Sequence, residues 1–251
     1  MLLAIDTTSA PGSLAFIGAD GTCVAQAGDE RPHGEQLPGA ALDLLSRQGC
    51  TLADIDVFAV ATGPGSLTGL RVGMATVQGL GVATGRPCVG VSVFEALSWA
   101  WVSGTARPAA GDLLGVWLDA RRDEVFTALV RRTSTPLDGR MALRDLVESL
   151  EGPTVGTAAE RIAAWCAVRA EEAGRLALCG TRVEADREAL ATLGPHDIID
   201  LPSGLASAVA AVAAREAAHG RTVTPHALHP LYVRRPDVET ARERARAASP
   251  R

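Results

Sequence analysis

A chain of 251 residues, 47% of them hydrophobic, holds enough apolar material for one large domain or two small ones with their own cores. Its net charge of −5 and aromatic content of 4% speak against a free-standing nucleic-acid binder, which would be basic and would carry stacking platforms. All 24 basic residues are arginine, which excludes a lysine Schiff base, a P-loop lysine and a Ser-Lys dyad.

Met1 to Ile5 is a short apolar run that ends in Asp6-Thr7-Thr8. Ser13 to Ile17 and Cys23 to Ala27 follow as strand candidates, set off by the turn residues Pro11-Gly12 and Asp20-Gly21. The three predict a meander, with Asp6 and two hydroxyls at the tip of the first strand, where α/β sheets place their ligands. No basic segment precedes the first apolar run, so it does not read as a secretory signal. No uncharged apolar run reaches the roughly 18 residues of a membrane helix. Cys23, Cys50, Cys88, Cys166 and Cys179 form no C-x-x-C pair and read as reduced thiols rather than a disulfide or zinc framework. The expectation is a soluble, cytoplasmic protein.

Leu37, Ala41, Leu44, Leu45 and Gln48 recur at helical spacing over Pro32 to Gln48, with Pro38 expected in the first turn. Asp56 to Thr62 reads as a strand, Gly63-Pro64-Gly65-Ser66 as a tight turn, and Leu67 to Gly85 as a helix with no charged side chain after Arg71. Pro87 to Val93 is a further strand and Phe94 to Val102 a further helix, so the first hundred residues read βββαβαβα. Glycine inside a helix costs roughly 1 kcal/mol relative to alanine. Gly69, Gly73, Gly79 and Gly81 share one helix, which suggests that another backbone comes close. The helix has two thin faces, one of Gly69, Gly73, Thr76 and Leu80, the other of Val72, Ala75, Gly79 and Val82. One face can lie on the sheet. The second either packs under the chain's own elements or is left as an apolar patch for another molecule. The turn before the helix offers backbone N–H groups to an anion, or a Ser66 or Thr68 cap to the helix. It is not a nucleophile elbow, because Pro64 stands where a glycine is required.

Ser103 to Gly111 reads as a linker, after which the pattern repeats. Leu114-Gly115-Val116-Trp117-Leu118-Asp119 echoes Leu2-Leu3-Ala4-Ile5-Asp6, and Glu124 to Val130 echoes Ser13 to Ile17. A strand at Thr154 to Thr157, a helix at Ala158 to Glu171, a strand at Leu176 to Gly180 and a helix at Leu205 to His219 continue the order. Two pseudo-equivalent lobes are expected: residues 1–104, a less regular 112–203, and a C-terminal helix with an Arg-rich tail, 204–251, able to pack back on the first lobe. Asp6 and Asp119 are the carboxylates the repeat pairs across a cleft. Thr7-Thr8 and Ala120-Arg121 follow them instead of the glycine that lets a phosphate approach, so the nucleotide cleft reads as degenerate. His33 has no histidine at i+4, where Leu37 stands, and His226-x-x-His229 lies in a loop between prolines, so neither reads as a metal site. The tail's Arg234, Arg235, Arg242, Arg244, Arg246 and Arg251 form either a solvated end or a basic arm for RNA phosphate or an acidic partner.

Several of these stretches together resemble one known family. Ile5-Asp6-Thr7-Thr8, the block Thr62-Gly63-Pro64-Gly65-Ser66-Leu67-Thr68-Gly69-Leu70-Arg71-Val72-Gly73, Gln78-Gly79-Leu80, Gly90-Val91-Ser92, Leu118 to Val125 and Leu231-Tyr232-Val233-Arg234 resemble the bacterial TsaB (YeaZ) family, which makes the threonylcarbamoyl modification of tRNA. The match runs nearly end to end, and the Gly-Pro-Gly-Ser-x-Thr-Gly-x-Arg block is its most specific part. The resemblance implies the two-lobed actin/Hsp70/sugar-kinase-like α/β fold. It implies a non-catalytic subunit, without cofactor or metal of its own. A TsaD-like catalytic partner would supply the metal and transfer threonylcarbamoyl to N6 of the adenosine beside the anticodon. A TsaE-like ATPase would use ATP, and tRNA would be met through the complex. The partner surface carried over from the family falls on helices at about 34–48 and 67–85, through Leu37, Ala41, Leu44, Leu45, Leu70, Gly73, Met74, Val77 and Gln78. The same surface would make a homodimer of the chain alone, and a leucine at Gly73 would block the partner while sparing the fold. Two other readings stand beside it: a stand-alone phosphotransferase of the sugar-kinase superfamily using Asp6 and Asp119, and a metallopeptidase, which the missing second histidine opposes.

Overall fold

The computed structural model describes residues 1–9, 12–27, 33–105, 107–139, 141–200, 202 and 204–234, without the side chains of residues 33–35. The Pro11 turn residue, the His33 side chain and the Arg-rich stretch beyond Arg234 lie outside the described residues.

β1 (Leu2–Asp6) is buried at all five positions, as a continuous apolar strand must be when both faces of its sheet are covered. It pairs antiparallel with β2 (Ser13–Ile17), which pairs antiparallel with β3 (Cys23–Ala27). On its other side β1 runs parallel to β4 (Val57–Ala61), and β4 to β5 (Cys88–Val91). The helices α1 (His33–Arg47), α2 (Leu67–Thr84) and α3 (Val93–Ser103) supply the crossovers and the cover. Because α1 starts at His33, Pro38 sits a turn deeper than the first-turn position expected of it.

The second sheet repeats the plan. β6 (Leu113–Asp119) pairs antiparallel with β7 (Glu124–Arg132) and parallel with β9 (Leu176–Cys179); β7 carries β8 (Val147–Thr157) and β9 carries β10 (His196–Ile198). The orders β3-β2-β1-β4-β5 and β8-β7-β6-β9-β10 are the same order, strand for strand. This duplicated arrangement of two mixed sheets is the two-lobed actin/Hsp70/sugar-kinase-like fold. Helices α4 (Leu143–Leu146), α5 (Ala158–Arg169), α6 (Arg187–Leu190) and α7 (Ala206–Ala218) complete the chain. The second lobe departs from its sequence pattern in two places. β8 begins at Val147 rather than near Thr154, because it follows the nine-residue β7 along its length through a bulge opposite Thr127 to Val130. β10, only His196-Asp197-Ile198, is too short and too polar to have shown as a strand.

Five layers result. α1 and α2 cover one face of the first sheet, packing Leu37, Leu44, Leu70 and Val77 on Leu3, Ile5, Phe58 and Val60. The other face turns the small residues Ala4, Ala15, Ala59 and Ala61 toward α7, itself alanine-rich, so a thin helix lies close on a thin sheet. Gly204 and the hydroxyl of Ser13 fix the start of α7: Ser13 Oγ accepts from Ala206 N at 2.9 Å. α3 and α7 are sandwiched, since the same cluster reaches Val116, Ala128 and Val130 of the second sheet. α5 covers the far face through Trp165, whose ring stands edge-on to Trp117 at 5.2 Å. Burial raises the Cys88 thiol to about 11 and the Cys179 thiol to about 12, which leaves both as unreactive core at neutral pH. No helix among the described residues is long and apolar enough to cross a membrane.

Candidate docking face and strand-tip cleft

The Gly63-Pro64-Gly65-Ser66 turn carries the chain from the end of β4 onto α2. Ser66 is the N-cap of the helix, its hydroxyl accepting from Gly69 N at 3.3 Å, so the cap expected of Ser66 or Thr68 falls to Ser66. The exit of β1 lies against the turn and the first two turns of α2. Ser66 N donates to Thr8 O at 2.8 Å, and Thr7 Oγ1 donates to Gly69 O at 2.6 Å. A Cβ at Gly65 would overlap the Thr8 carbonyl, one at Gly69 the Thr7 carbonyl, and one at Gly73 the Thr7 hydroxyl. Gly81 is thin for a related reason, with Pro225 Cγ 2.7 Å and Cys88 Sγ 2.9 Å from where its Cβ would be.

These contacts place most of the residues expected at the surface of the two helices inside the chain. Leu37, Ala41, Leu44, Leu45, Leu70, Met74 and Val77 are each at most 7% exposed and belong to the chain's own core. Gly73 is buried against Thr7 and Val60. Gln78 donates from Nε2 to Pro225 O and Leu228 O, both at 3.1 Å, tying the short 3-10 turn Pro225–Ala227 to α2. None of the nine presents a free side chain outward, because helix periodicity alone does not say which of two apolar faces meets the sheet. What α2 turns outward is the other thin face: Arg71, Ala75, Gly79, Val82 and Ala83 are exposed, and Val72 half-buried. Leu67 and Val82 are 50% and 55% exposed, and Leu42 of α1 is 48% exposed. Among the described residues, nothing lies within 4 Å of a Cβ built on Gly79. The chain's own packing explains Gly69, Gly73 and Gly81, and the left-handed cap at φ +68° explains Gly85, but no contact among the described residues calls for glycine at 79.

The two carboxylates paired by the repeat stand at equivalent strand ends and are both engaged locally. Asp6, fully buried, accepts from Thr8 N at 2.8 Å and Thr8 Oγ1 at 2.6 Å through Oδ1, and from Ser9 Oγ at 3.2 Å through Oδ2. Asp119 accepts from Arg121 N at 2.8 Å and pairs with the Arg121 and Arg182 guanidinium groups at 3.2 and 3.7 Å. The turn that follows holds Arg121, Arg122 and Asp123 in succession at φ near +60°, a left-handed stretch that side-chain-bearing residues seldom adopt. Arg182 also reaches Asp123 and Asp186, at 3.9 and 3.2 Å. Sequence reading missed Arg182; the signal was Gly180-Thr181 directly after a buried strand, since Thr181 Oγ1 accepts from Asp119 N at 3.0 Å. At both strand ends, then, the carboxylate is already engaged, Asp6 by Thr8 and Ser9 and Asp119 by Arg121 and Arg182.

Residues 28–233 match the family model described as TsaD, tRNA N6-adenosine threonylcarbamoyltransferase. An uncharacterised protein of Mycobacterium leprae is 32% identical over 244 residues, covering 95% of this chain and 56% of that protein. The tRNA threonylcarbamoyladenosine biosynthesis protein TsaB of Escherichia coli is 35% identical over 134 residues, 52% of this chain and 55% of that one. In both comparisons the matched stretch spans little more than half of the relative's length. The crystal structure of an uncharacterised Pseudomonas aeruginosa protein with similarity to peptidase YeaZ superimposes with a TM-score of 0.72 at 25% identity, over 93% of this chain and 99% of that one. The chain belongs to the tRNA N6-adenosine threonylcarbamoyltransferase (TsaD) family, and its likeness there is to the TsaB (YeaZ) proteins.

Proposed function

We propose that this chain is a non-catalytic partner subunit in the formation of threonylcarbamoyladenosine on tRNA, and that it docks a TsaD-like catalytic subunit on the outward face of α1 and α2. The observation that carries the reading is Gly79. It sits mid-helix, exposed, with open space above it, in a stripe flanked by Ala75 and Val82. Glycine there lowers helix stability by roughly 1 kcal/mol, and no contact among the described residues offsets it. A backbone from another protein lying along the stripe would recover that loss through close packing and apolar burial, worth roughly 25 cal/mol per Å² before the cost of association. The engagement of Asp6 with Thr8 and Ser9, and of Asp119 with Arg121 and Arg182, supports assigning catalysis to the partner rather than to a phosphotransferase centre here. Within the complex a TsaE-like ATPase and the partner's metal would supply ATP and metal chemistry, and tRNA would bind the assembly. Without its partner, the chain would bury the same stripe in a homodimer.

The test is co-purification of the chain with the TsaD-like protein of its own host, followed by a tRNA modification assay with and without the chain. Omitting the chain should abolish modification, and Ala75→Arg should do the same by placing a charge on the stripe. Full modification by the catalytic protein alone, or an Ala75→Arg chain that still co-purifies and still supports the reaction, would end the proposal.

A further inference from the structure

α2 carries a single charged side chain from Leu67 to Thr84, and it stands on the outward face. Arg71 is exposed and begins the row Arg71, Ala75, Gly79 and Ala83, whose members lie one above the other along the stripe. Nothing in the described fold accounts for it. Among the described residues, the Arg71 guanidinium has no hydrogen bond, ion pair or ring contact, and the only other described arginine of which this is true is Arg107, in the linker. Elsewhere the chain ties its arginines down. Arg86, just past the far end of α2, pairs with Asp56 at 3.4 Å, and Arg47, at the end of α1, donates to the side chain of Gln26. The helix itself does not favour a cation at this place either. Arg71 lies in its second turn, near the positive end of the helix dipole, and the first turn holds no acidic residue to offset it.

Docking changes what that guanidinium needs. In the free chain its N–H groups are hydrated and its charge is screened. A surface laid over Ala75, Gly79 and Val82 strips water from the neighbouring Arg71, whose donors and charge must then be met by acceptors of the incoming molecule. The planar fork of a guanidinium fits a carboxylate through two parallel N–H···O bonds, which is its strongest single pairing. α2 of a second copy cannot supply that carboxylate, because the helix has no acidic residue from Leu67 to Thr84. We propose that Arg71 is the orienting charge of the docking face: the TsaD-like partner lays a helix of small and apolar residues along Ala75, Gly79 and Val82 and presents one Asp or Glu to Arg71. A lone charge at one end of an uncharged stripe fixes the direction and register of the facing helix. Reversed, that helix would bring its carboxylate to the Val82 and Ala83 end and leave Arg71 buried without a counter-charge. The inference rests on the docking reading of α2 and adds to it the charge that the partner carries.

Association and dissociation rates of the full chain with the TsaD-like protein of its host, at low and high salt, test it. Arg71→Glu should weaken binding tenfold or more, mainly through faster dissociation. The parent's affinity should fall more steeply with salt than that of Arg71→Ala, and Arg71→Lys, which keeps the charge without the fork, should lose less than Arg71→Ala. The melting temperature of Arg71→Glu should not drop, because no contact is lost and an acidic side chain suits the start of a helix, so weaker binding will not reflect a lost fold. Arginine in place of one acidic residue on the partner's facing helix should restore binding to Arg71→Glu. Parent-like binding by Arg71→Glu, with none by Ala75→Arg, would overturn the inference and leave the docking face standing; parent-like binding by both variants would remove the docking face as well. Slower association with unchanged dissociation would also overturn it, since Arg71 would then steer the encounter from water. So would an Arg71→Glu chain that loses self-association yet keeps the partner, which would assign the charge to a second copy.

Discussion

On the sheet side of α2, Gly69 and Gly73 lie against the backbone and hydroxyl of Thr7, and Gly81 lies against Pro225 and Cys88. On the opposite side, Ala75, Gly79 and Val82 form a stripe of the same character, with none of the described residues above Gly79. Small residues thus serve two ends on one helix. Inside, they let the exit of β1 descend onto the helix, which anchors the Asp6-Thr7-Thr8 tip and the turn at Ser66. Outside, no described residue of the chain packs over Gly79, which is why the proposed docking face is placed there. The two sides give opposite responses to the same kind of substitution, which is how the distinction can be tested.

The largest effect belongs to the inner side. Gly73→Leu forces a side chain into Thr7 Oγ1 and Val60, and should destabilise the chain by about 3 kcal/mol or more, read as a lowered denaturation midpoint. A Gly73→Leu protein as stable as the parent would erase the inner half of the comparison. Next comes the outer side. Val82→Asp, at a position 55% exposed, should leave folding stability within about 0.5 kcal/mol. Binding to the TsaD-like partner should fall about 30-fold, equivalent to about 2 kcal/mol, because the charge would be buried on docking. Calorimetry with unchanged affinity would remove Val82 from the interface.

How much of this could be read in advance depends on the kind of signal. Continuous apolar runs ending in Asp6 and Asp119 made the strand tips and the duplication visible, and glycines in a charge-free run marked α2 as a close-packing helix. The choice of face was hidden, because Gly69, Gly73 and Gly79 are alike in sequence and differ only in what the fold lays over them. Residues expected at a partner surface, such as Leu44 and Val77, read the same whether they meet another protein or their own sheet. Long-range polar contacts were also hidden: Gln78 to the Pro225 turn and Arg182 to Asp119 join positions 147 and 63 residues apart that no periodicity links.

Gln78 sharpens the boundary between the two faces. Its amide satisfies two carbonyls of the segment from Pro225 to Leu228, which also packs on Gly81. Gln78→Ala should cost about 1.5 kcal/mol, since two partly buried acceptors lose their donor. The accompanying signature is faster amide hydrogen exchange at Val223 and Leu228, whose N–H groups bond to Cys88 O and Pro225 O. Unchanged protection there would mean that the turn is held by Gly81 packing alone.

The smallest effect is also the most discriminating. Gly79→Ala adds one methyl group where none of the described residues lies within 4 Å, in a helix whose dihedrals alanine prefers. The isolated chain should therefore gain about 0.5–1 kcal/mol, seen as a higher melting temperature. The same methyl group would hold an approaching backbone away, so binding to the TsaD-like partner should weaken while the chain itself becomes more stable. A residue kept only for folding cannot give that pair of signs, because its loss would lower stability and binding together or leave both alone. Greater stability with undiminished partner binding would show that Gly79 is neither a folding nor a docking residue, and the outer stripe would lose the observation on which it rests.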